Sequence, residues 1–569
     1  MTTRTIRRRE PGTIGNWPDG TSVLLQRLHA ARGASSAEAA QPGLRHLLSP
    51  DTLSGLDDAT ALLASAMASD RHIVVVGDFD CDGATAAAVG VRGLRMLGAR
   101  RVSHAVPNRI VHGYGLSPGL VDDLAALQPD LLVTVDHGIA CHAGIAAAKA
   151  RGWQVLVTDH HLPGATLPLA DAIVDPNQPG DAFPSKMLAG VGVMFYVLLA
   201  LRRRLREAGH FSDAGPDLSV LLDLVAVGTV ADLVPLDTNN RALVAAGLRR
   251  LRAGQGCAGL RALIEVAGRD ARTLTTSDIG FGVAPRINAA GRLEDMALGI
   301  ECLLSDDDSH ARGIASTLNE INGERRAVQQ QMVDEAEVAL ARIELDGTMP
   351  PVLCLFDPEW HPGVVGLVAS KMKERLHRPV FAFAPAEPGS DSLRGSARSI
   401  PGVHIRDLLA AVDSAQPGLI GKFGGHAMAA GLSLPLDALP QFELALHGQA
   451  RRVLDPSLLQ AEVVSDGELQ LDEFNHAAAL ALRDSGPWGQ GYPEPLFDGT
   501  FEVLDWRVVG QRHLKLELGR DGIRLNAIEF GGWTDEPPSA QVRIAFRLEP
   551  DNYRGGEAIQ LVIVHREPV

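Results

Sequence analysis

The sequence predicts two unequal α/β units followed by a small β-barrel, and three observations predict it. Between residues 72 and 175, short Val/Leu/Ile runs alternate with Ala-rich helical stretches, which reads as βαβ units and a parallel sheet. A polar helical segment over 305–345 separates that region from a second α/β stretch that opens with the strand PVLCLF. Beyond 460 come FEVLDWRVVG, HLKLELG, IRLNAIEF, QVRIAFRLE and AIQLVIVH, short alternating runs that suit a small barrel. A chain of 569 residues is too long for one core. These breaks divide it into an N-terminal extension (1–65), a first domain (66–304), a connector helix (305–345), a second domain (346–455) and the barrel (456–569).

The elements follow in order. HIVVVGD is a strand, ATAAAVGVRGLRMLG a small-residue helix and RVSHAVPNR the next strand. LLVTVDHG, the helix CHAGIAAAKARG, WQVLVTDHH and ADAIVDPN continue the alternation. LAGVGVMFYVLLAL (188–201) falls short of the roughly 18 residues that span a bilayer. It reads as a buried helix ending at Arg202, Arg203 and Arg204. LSVLLDLVAVGTVADLVPL (218–236) reads as a long buried helix with one late carboxylate, Asp232. In the connector, Ser305 is placed to cap the helix, and Gly323 is a candidate break. Ile314, Leu318, Ile321, Val328 and Met332 recur there at helical spacing.

Composition narrows the class of protein. The hydrophobic fraction of 46% and charged fraction of 21% are ordinary for a globular chain. Five scattered cysteines without a CxxC pair argue for a reducing compartment and against a disulfide framework or zinc ribbon. The basic start MTTRTIRRRE is followed by PGTIGNWPDG, not by an apolar run, so no secretory signal is read and a cytoplasmic protein is expected. The net charge of −16 weighs against a nucleic-acid partner unless basic groups or bound cations act locally.

The chemistry gathers at strand ends. Asp78, Asp80 and Asp82 follow IVVVG, Asp136 and His137 follow LLVTV, and Asp159, His160 and His161 follow VLVT. Open parallel sheets bind ligands beyond the carboxyl ends of their strands, so three such ends can surround one crevice. Three crowded aspartates repel unless something positive lies among them. A calcium loop beginning at Asp78 requires a bidentate Glu where Val89 stands. Asp80-Cys81-Asp82-Gly83 also resembles the start of a haloacid-dehalogenase phosphatase. The next residue is Ala84, however, and that reading leaves Asp159-His160-His161 unused. Asp-rich ligation with one His suits Mn²⁺ or Mg²⁺. Two such ions about 3.5–4 Å apart share a bridging carboxylate and clamp both oxygens of a phosphoryl displacement.

VVVGDFDCDG, VTVDHG, VTDHH and GTVADLVPL resemble, in that order, the four motifs of the DHH phosphoesterase superfamily. RINAAGRL (286–293), WHPGVVGLVASK (360–371), SARS (396–399) and GGHAMAAG (424–431) extend the resemblance to that superfamily's bacterial single-strand-specific exonucleases. It implies a parallel-sheet DHH domain, a long connector helix, a smaller α/β DHHA1 domain and an OB-type barrel. It also implies two divalent cations, Mn²⁺ or Mg²⁺. Asp80 and Asp136 would hold one, with Asp78 nearby, and Asp82, Asp136, His160 and Asp232 the second. Asp136, His160 and His161 would carry catalysis, His161 facing the scissile phosphate or supporting Asp136. His137 would orient a ligand or its loop, with Phe79 and Cys81 as spacers.

In the second half, Ser396, Arg398, Gly424, Gly425 and His426 would form a pocket for the 5′ end of the strand. Backbone N–H groups of the Gly-rich run would be open to anionic oxygens there. Arg286 and Asn288 would contact substrate near the metals. His361 would either join them or make a structural hydrogen bond beside Trp360. In the barrel, Trp488, Tyr492, Phe497 and Trp506 are candidates to stack bases, and Arg512, His513 and Lys515 to track the backbone; a solvated barrel is the alternative. The resemblance implies a single-stranded-DNA-specific 5′→3′ exonuclease of repair and recombination, releasing 5′ mononucleotides. Its expected partners are single-stranded DNA and a single-strand-binding protein or helicase, with no membrane and a monomeric state. The alternatives are a phosphodiesterase for short oligonucleotides or cyclic dinucleotides, and a DNA-binding scaffold without catalysis.

Overall fold

Five short strands build the first sheet in the order Val102–Ala105, Ile73–Val76, Leu131–Val135, Gln154–Thr158 and Ala172–Val174, all parallel. This computed structural model describes residues 4–109, 111–345, 349–551 and 553–569, without the side chains of 339–345. Val76 pairs with Thr134, Val135 with Thr158 and Thr158 with Val174, so the strands end nearly in line. Residues just past those ends therefore share one edge. Ile73–Val76 is flanked by the strand that follows it on one side and by Leu131–Val135 on the other. Asp78–Asp82 thus leave the sheet at its switch point.

The Cys81–Met96 helix carries mostly Ala, Gly and Val, and it lies buried against the helices Gly190–Glu207 and Leu222–Ala231. Gly190–Glu207 runs through the three arginines instead of stopping at them. The expected long helix over 218–236 is shorter. It is a 3₁₀ turn, Leu218–Leu221, then Leu222–Ala231, with Asp232 just past its end and Leu233 at φ 61°.

The connector is one helix, Asp308–Leu345, with no break at Gly323. Its cap is Asp307, whose Oδ1 accepts from the N–H groups of Ser309 and His310; Ser305 only donates to the Asp307 carbonyl. Ala311, Ile314, Ala315 and Leu318 join the first core, while Met332, Val333 and Ala336 join the second domain's. The expected start of that domain at 346 falls outside the described residues.

The second domain has a mixed sheet in the order Lys422–Gly425, Ala429–Pro435, Ser392–Arg398, Val380–Pro385 and Leu353–Phe356. Only the last two strands are parallel. The barrel is closed by five strands, Phe497–Val509, His513–Arg520, Ile523–Glu529, Gln541–Pro550 and Ile559–Pro568.

The first 65 residues spread over several units. The strand Arg4–Arg8 pairs with Ala461–Ser465, and Leu24 and Leu28 enter the barrel core. Leu56 and Leu63 enter the first domain's core. Asp466, nearly buried, accepts from Arg9 and from the fully buried Arg32 side chain at 2.7 Å. The barrel also docks back on the first domain, where the Leu236 N–H donates to the Gln490 carbonyl at 2.7 Å. Among the described residues, no helix is long and apolar enough to cross a membrane.

Candidate metal and phosphate site

The carboxylates of three strand ends converge. Ligand atoms of Asp78, Asp80 and Asp136 lie within 4.8 Å of one another, and so do those of Asp82, His160 and Asp232. A third such group is Asp136, His160 and His161, which makes Asp136 common to two of the three. Asp80 caps the Cys81–Met96 helix by accepting from the Gly83 N–H, which aims the rest of the loop. Asp82 accepts from the N–H groups of Gly190 and Val191 at 2.6 and 3.0 Å, the positive end of the Gly190–Glu207 helix. Asp136 sits at φ 65°, a left-handed conformation unusual for a residue other than glycine, in the tight turn beyond its strand.

The electrostatics are those of a site made for cations. Burial, then the neighbouring carboxylates, push Asp78, Asp136 and Asp232 well above the usual carboxylate range, and Asp82 up to about 7. Burial pushes His160 down to about 3, so it is a neutral imidazole. Its Nε2 lies 3.1 Å from Asp136 Oδ1 and 3.6 Å from Asp232 Oδ2. Nevertheless His160 Nε2, Asp136 Oδ1 and Asp78 Oδ1 are buried without a hydrogen-bond partner among the described residues. Buried polar atoms are rarely left so, and lone pairs aimed at shared space suit a shared cation. The donor set, carboxylates with one imidazole, fits Mn²⁺ or Mg²⁺.

Asp159 organises the two histidines. One of its oxygens accepts from the N–H groups of His160 and His161 and from His161 Nδ1, and the other accepts from the Ile139 N–H. Burial opposes charge on His161, but the Asp159 bond prevails and raises it to about 9. His161 Nε2 lies 3.3 Å from the Tyr114 hydroxyl, and its ring stacks on His426 of the second domain, with centroids 5.5 Å apart. His137 donates to the Val76 carbonyl and so ties its loop to the first strand.

Beside the carboxylates lies a cavity of about 630 Å³ between the two domains, lined by Asp80, Asn288, Ser396, Arg398, Gly424 and four further cations. Those four are Arg109, Arg292, Arg394 and Lys422. Arg292 is driven down to about 9 by burial and then by Arg109 and Arg398. Guanidinium groups crowded about one opening call for an anion.

Three families match the chain in order: the DHH family N-terminal domain over residues 72–229, the DHHA1 domain over 349–450 and the RecJ OB domain over 465–565. The single-stranded-DNA-specific exonuclease RecJ of Salmonella typhimurium is 48% identical over 571 residues, 98% of each chain. The chain belongs to the RecJ family. The Escherichia coli RecJ exonuclease is also 48% identical, over 575 residues and 99% of each chain. A crystal structure of RecJ in complex with Mn²⁺ from Thermus thermophilus superposes with a TM-score of 0.78 at 33% identity, covering 95% of this chain and 75% of that one.

Within this RecJ-family fold several expected site residues take other places. Arg286 turns away from the crevice and is nearly buried, donating to the Gly282 and Val266 carbonyls and to Asn319. On the same helix, Arg292 faces the cavity instead. Asn288 lines the cavity but spends its Oδ1 on the Cys81 N–H, which steadies the aspartate loop. His361 accepts from the Gly363 N–H, the structural alternative. The Gly-rich run is the tip of a hairpin, with Gly424 and Gly425 paired to Gly431 and Ala430, so it is no open nest of N–H groups.

Trp488 and Tyr492 are no stacking platform. They are 7% and 1% exposed, and they pack with His29 where the barrel meets the first domain. Phe497 is in the barrel core. Trp506 is exposed and stacks on Trp533; Lys515 lies 6.0 Å from the Tyr553 ring, and Arg512 sits in the turn before the strand.

Sequence reading had passed over Arg109, Arg292, Arg394, Lys422 and Tyr114, and had given Asp159 no role. Arg109 carried a signal: it follows the Val102–Ala105 strand, so the same strand-end rule applies to it. Lys422 and Arg394 carried none, since only the docking of the second sheet brings them in.

Proposed function

We propose that this protein is a single-stranded-DNA-specific exonuclease that works from the 5′ end with two divalent cations, Mn²⁺ or Mg²⁺. The observation that carries the reading is the run of three ligand clusters linked through Asp136 and then His160, set beside a cavity lined by cations. Asp78, Asp80 and Asp136 would hold one ion, and Asp82, Asp136, His160 and Asp232 the other. Bound there, the ions supply charge neutralisation for the crowded carboxylates and stabilise the charge that builds on the phosphate oxygens.

The chain's own residues do the rest. Arg398, Ser396, Arg109 and Arg292 would hold the strand's terminal 5′ phosphate, which fixes the next phosphodiester over the carboxylates. His161, kept protonated by Asp159, would donate to an oxygen of that phosphodiester. Water adds to phosphorus and the bond to the 3′ oxygen breaks. The first nucleotide leaves with its 5′ phosphate, and the remaining strand carries a new one, so the pocket meets the same group each cycle. A protein with five free cysteines and no membrane-spanning helix among its described residues suits the reducing cytoplasm. A single-strand-binding protein or helicase would supply the strand.

The test uses purified protein with Mn²⁺, a 5′-labelled single strand, the same strand labelled at its 3′ end, and a blunt duplex. Immediate release of labelled mononucleotide from the 5′-labelled strand alone supports the reading. Hydrolysis of dinucleotides with long strands intact would replace it with a short-oligonucleotide phosphodiesterase. No turnover and no divalent binding would leave a scaffold.

A further inference from the structure

Phe281 is 82% exposed, in a chain where most large rings are buried. It stands on a single π-helical turn, Ile279–Val283, inserted just before the Ala284–Leu293 helix. Such turns are rare and occur frequently at functional sites. This one is braced from both ends. Thr275 and Asp278 form a reciprocal cap before it, and Arg286 Nη1 donates to the Gly282 carbonyl at 2.5 Å from within the following helix. The ring is therefore held outward by a built support.

The turn packs on the helix that leads to Asp232, Leu222–Ala231, and a Cβ at Gly280 would lie 3.8 Å from Val230. Asp232 follows two residues later, and Leu233 after it is 71% exposed. From Phe281 on the π turn to Asn288 in the Ala284–Leu293 helix is seven residues, about 10 Å at a helical rise. That is the length of about three stacked nucleotides.

On its other side Phe281 lines a cleft of about 870 Å³ between the first domain and the barrel. The cations of that cleft are matched by carboxylates. Arg269 lies 3.4 Å from Asp278, Arg547 3.0 Å from Glu494 and Arg483 2.8 Å from Asp484. The lining carries four carboxylates, Asp270, Asp278, Glu494 and Glu549, against those three arginines, so it attracts phosphates weakly, which leaves an aromatic face as its means of holding a strand.

We propose that Phe281 stacks on a base of the substrate strand, seating it between the carboxylate crevice and the barrel cleft. This rests on the single-strand exonuclease reading above. Stacking of this kind tolerates any base, because every base has a π face, and so it suits an enzyme that consumes whatever sequence arrives.

The experiment compares the full-length wild type with Phe281→Ala and Phe281→Trp on 5′-phosphorylated single strands in Mn²⁺, including strands with one abasic position scanned from the 5′ end. Phe281→Ala should raise KM about tenfold with its melting temperature unchanged, and Phe281→Trp should restore KM. The wild type should lose affinity when the abasic position lies about two to four nucleotides in, and Phe281→Ala should show no further loss there. A KM within twofold of wild type for Phe281→Ala, or an abasic penalty that persists undiminished in that variant, overturns the stacking alone. A wild type that leaves every strand intact overturns the exonuclease reading and this one with it.

Discussion

Gly190 opens the helix whose N–H groups hold Asp82, and it touches Asp136 from the other side. A Cβ there would lie 2.5 Å from Asp136 Cβ and 2.7 Å from Asp136 Cα and Oδ1. Ordinary carbon contacts are about 3.5–4.0 Å, so Gly190→Ala requires a shift of about 1 Å between two buried backbones. Overpacking of that kind costs about 1–3 kcal/mol. The shift also strains the 2.6 Å bond from the Gly190 N–H to Asp82, and a hydrogen bond to a charged group is worth about 1.5–3 kcal/mol. Together the substitution should cost up to about 2.5–6 kcal/mol. The same displacement of a ligand should cost on the order of 100-fold in turnover. Gly192 is the milder comparison on the same helix: the nearest atom to a Cβ there is Leu188 Cδ2 at 3.3 Å, a buried side-chain end that has to give by a few tenths of an ångström. That crowding offsets the gain of about 1 kcal/mol in helix propensity, so Gly192→Ala should stay within about 1 kcal/mol of wild-type stability. Urea unfolding and Mn²⁺ titration of both variants read the difference. Wild-type Mn²⁺ affinity and turnover in Gly190→Ala would refute the close-approach reasoning.

Three further outcomes follow from the same site and its supports. In chelator, Asp136→Asn should melt above wild type, because burial and then Asp82 and Asp80 disfavour its charge; adding Mn²⁺ should reverse the order and reveal no strand cleavage. An apo melting temperature at or below wild type sinks that account. For Asp82, the folded value of about 7 exceeds the ordinary 3.8. The folded form thus keeps a proton that the unfolded chain releases, and metal-free stability should fall as pH rises from about 4 to about 7. Urea midpoints in chelator that rise from pH 5 to pH 8 contradict it. Trp488→Ala should cost about 3–5 kcal/mol at the joint of barrel and first domain. Trp506→Ala, which loses only a partly exposed stack on Trp533, should cost about 0.5–1.5 kcal/mol in unfolding while weakening strand binding measured by anisotropy. Equal effects on unfolding would show that exposure does not separate the two.

Much of the site was legible because its residues obey a local rule. A parallel strand followed by a short loop delivers the next side chains to the sheet's carboxyl edge, so Asp78, Asp136 and His160 met as their positions after IVVVG, LLVTV and VLVT implied. The connector was legible for the same kind of reason, since Ile314, Leu318 and Met332 keep helical period. Arg286 was misplaced because period does not say which face of a helix meets the crevice. Six residues separate it from Arg292, about 120° of rotation at 3.6 residues per turn, enough to send one guanidinium into the core and the other into the cavity. Trp488 and Tyr492 failed for a related reason: an aromatic near a barrel reads alike whether it is platform or joint, until the segment folds back on His29 and Arg241.

By itself, then, the sequence determined the order of units, the parallel sheet and the identity of the carboxylates, because periodicity and strand-end chemistry act over a few residues. Tertiary structure decided how those groups are aimed. The left-handed turn of Asp136, the helix end that grips Asp82, and the second domain's Arg398 and Lys422 beside Asp80 depend on contacts between residues far apart in the chain. Close packing of distant elements, which no local pattern encodes, sets those distances.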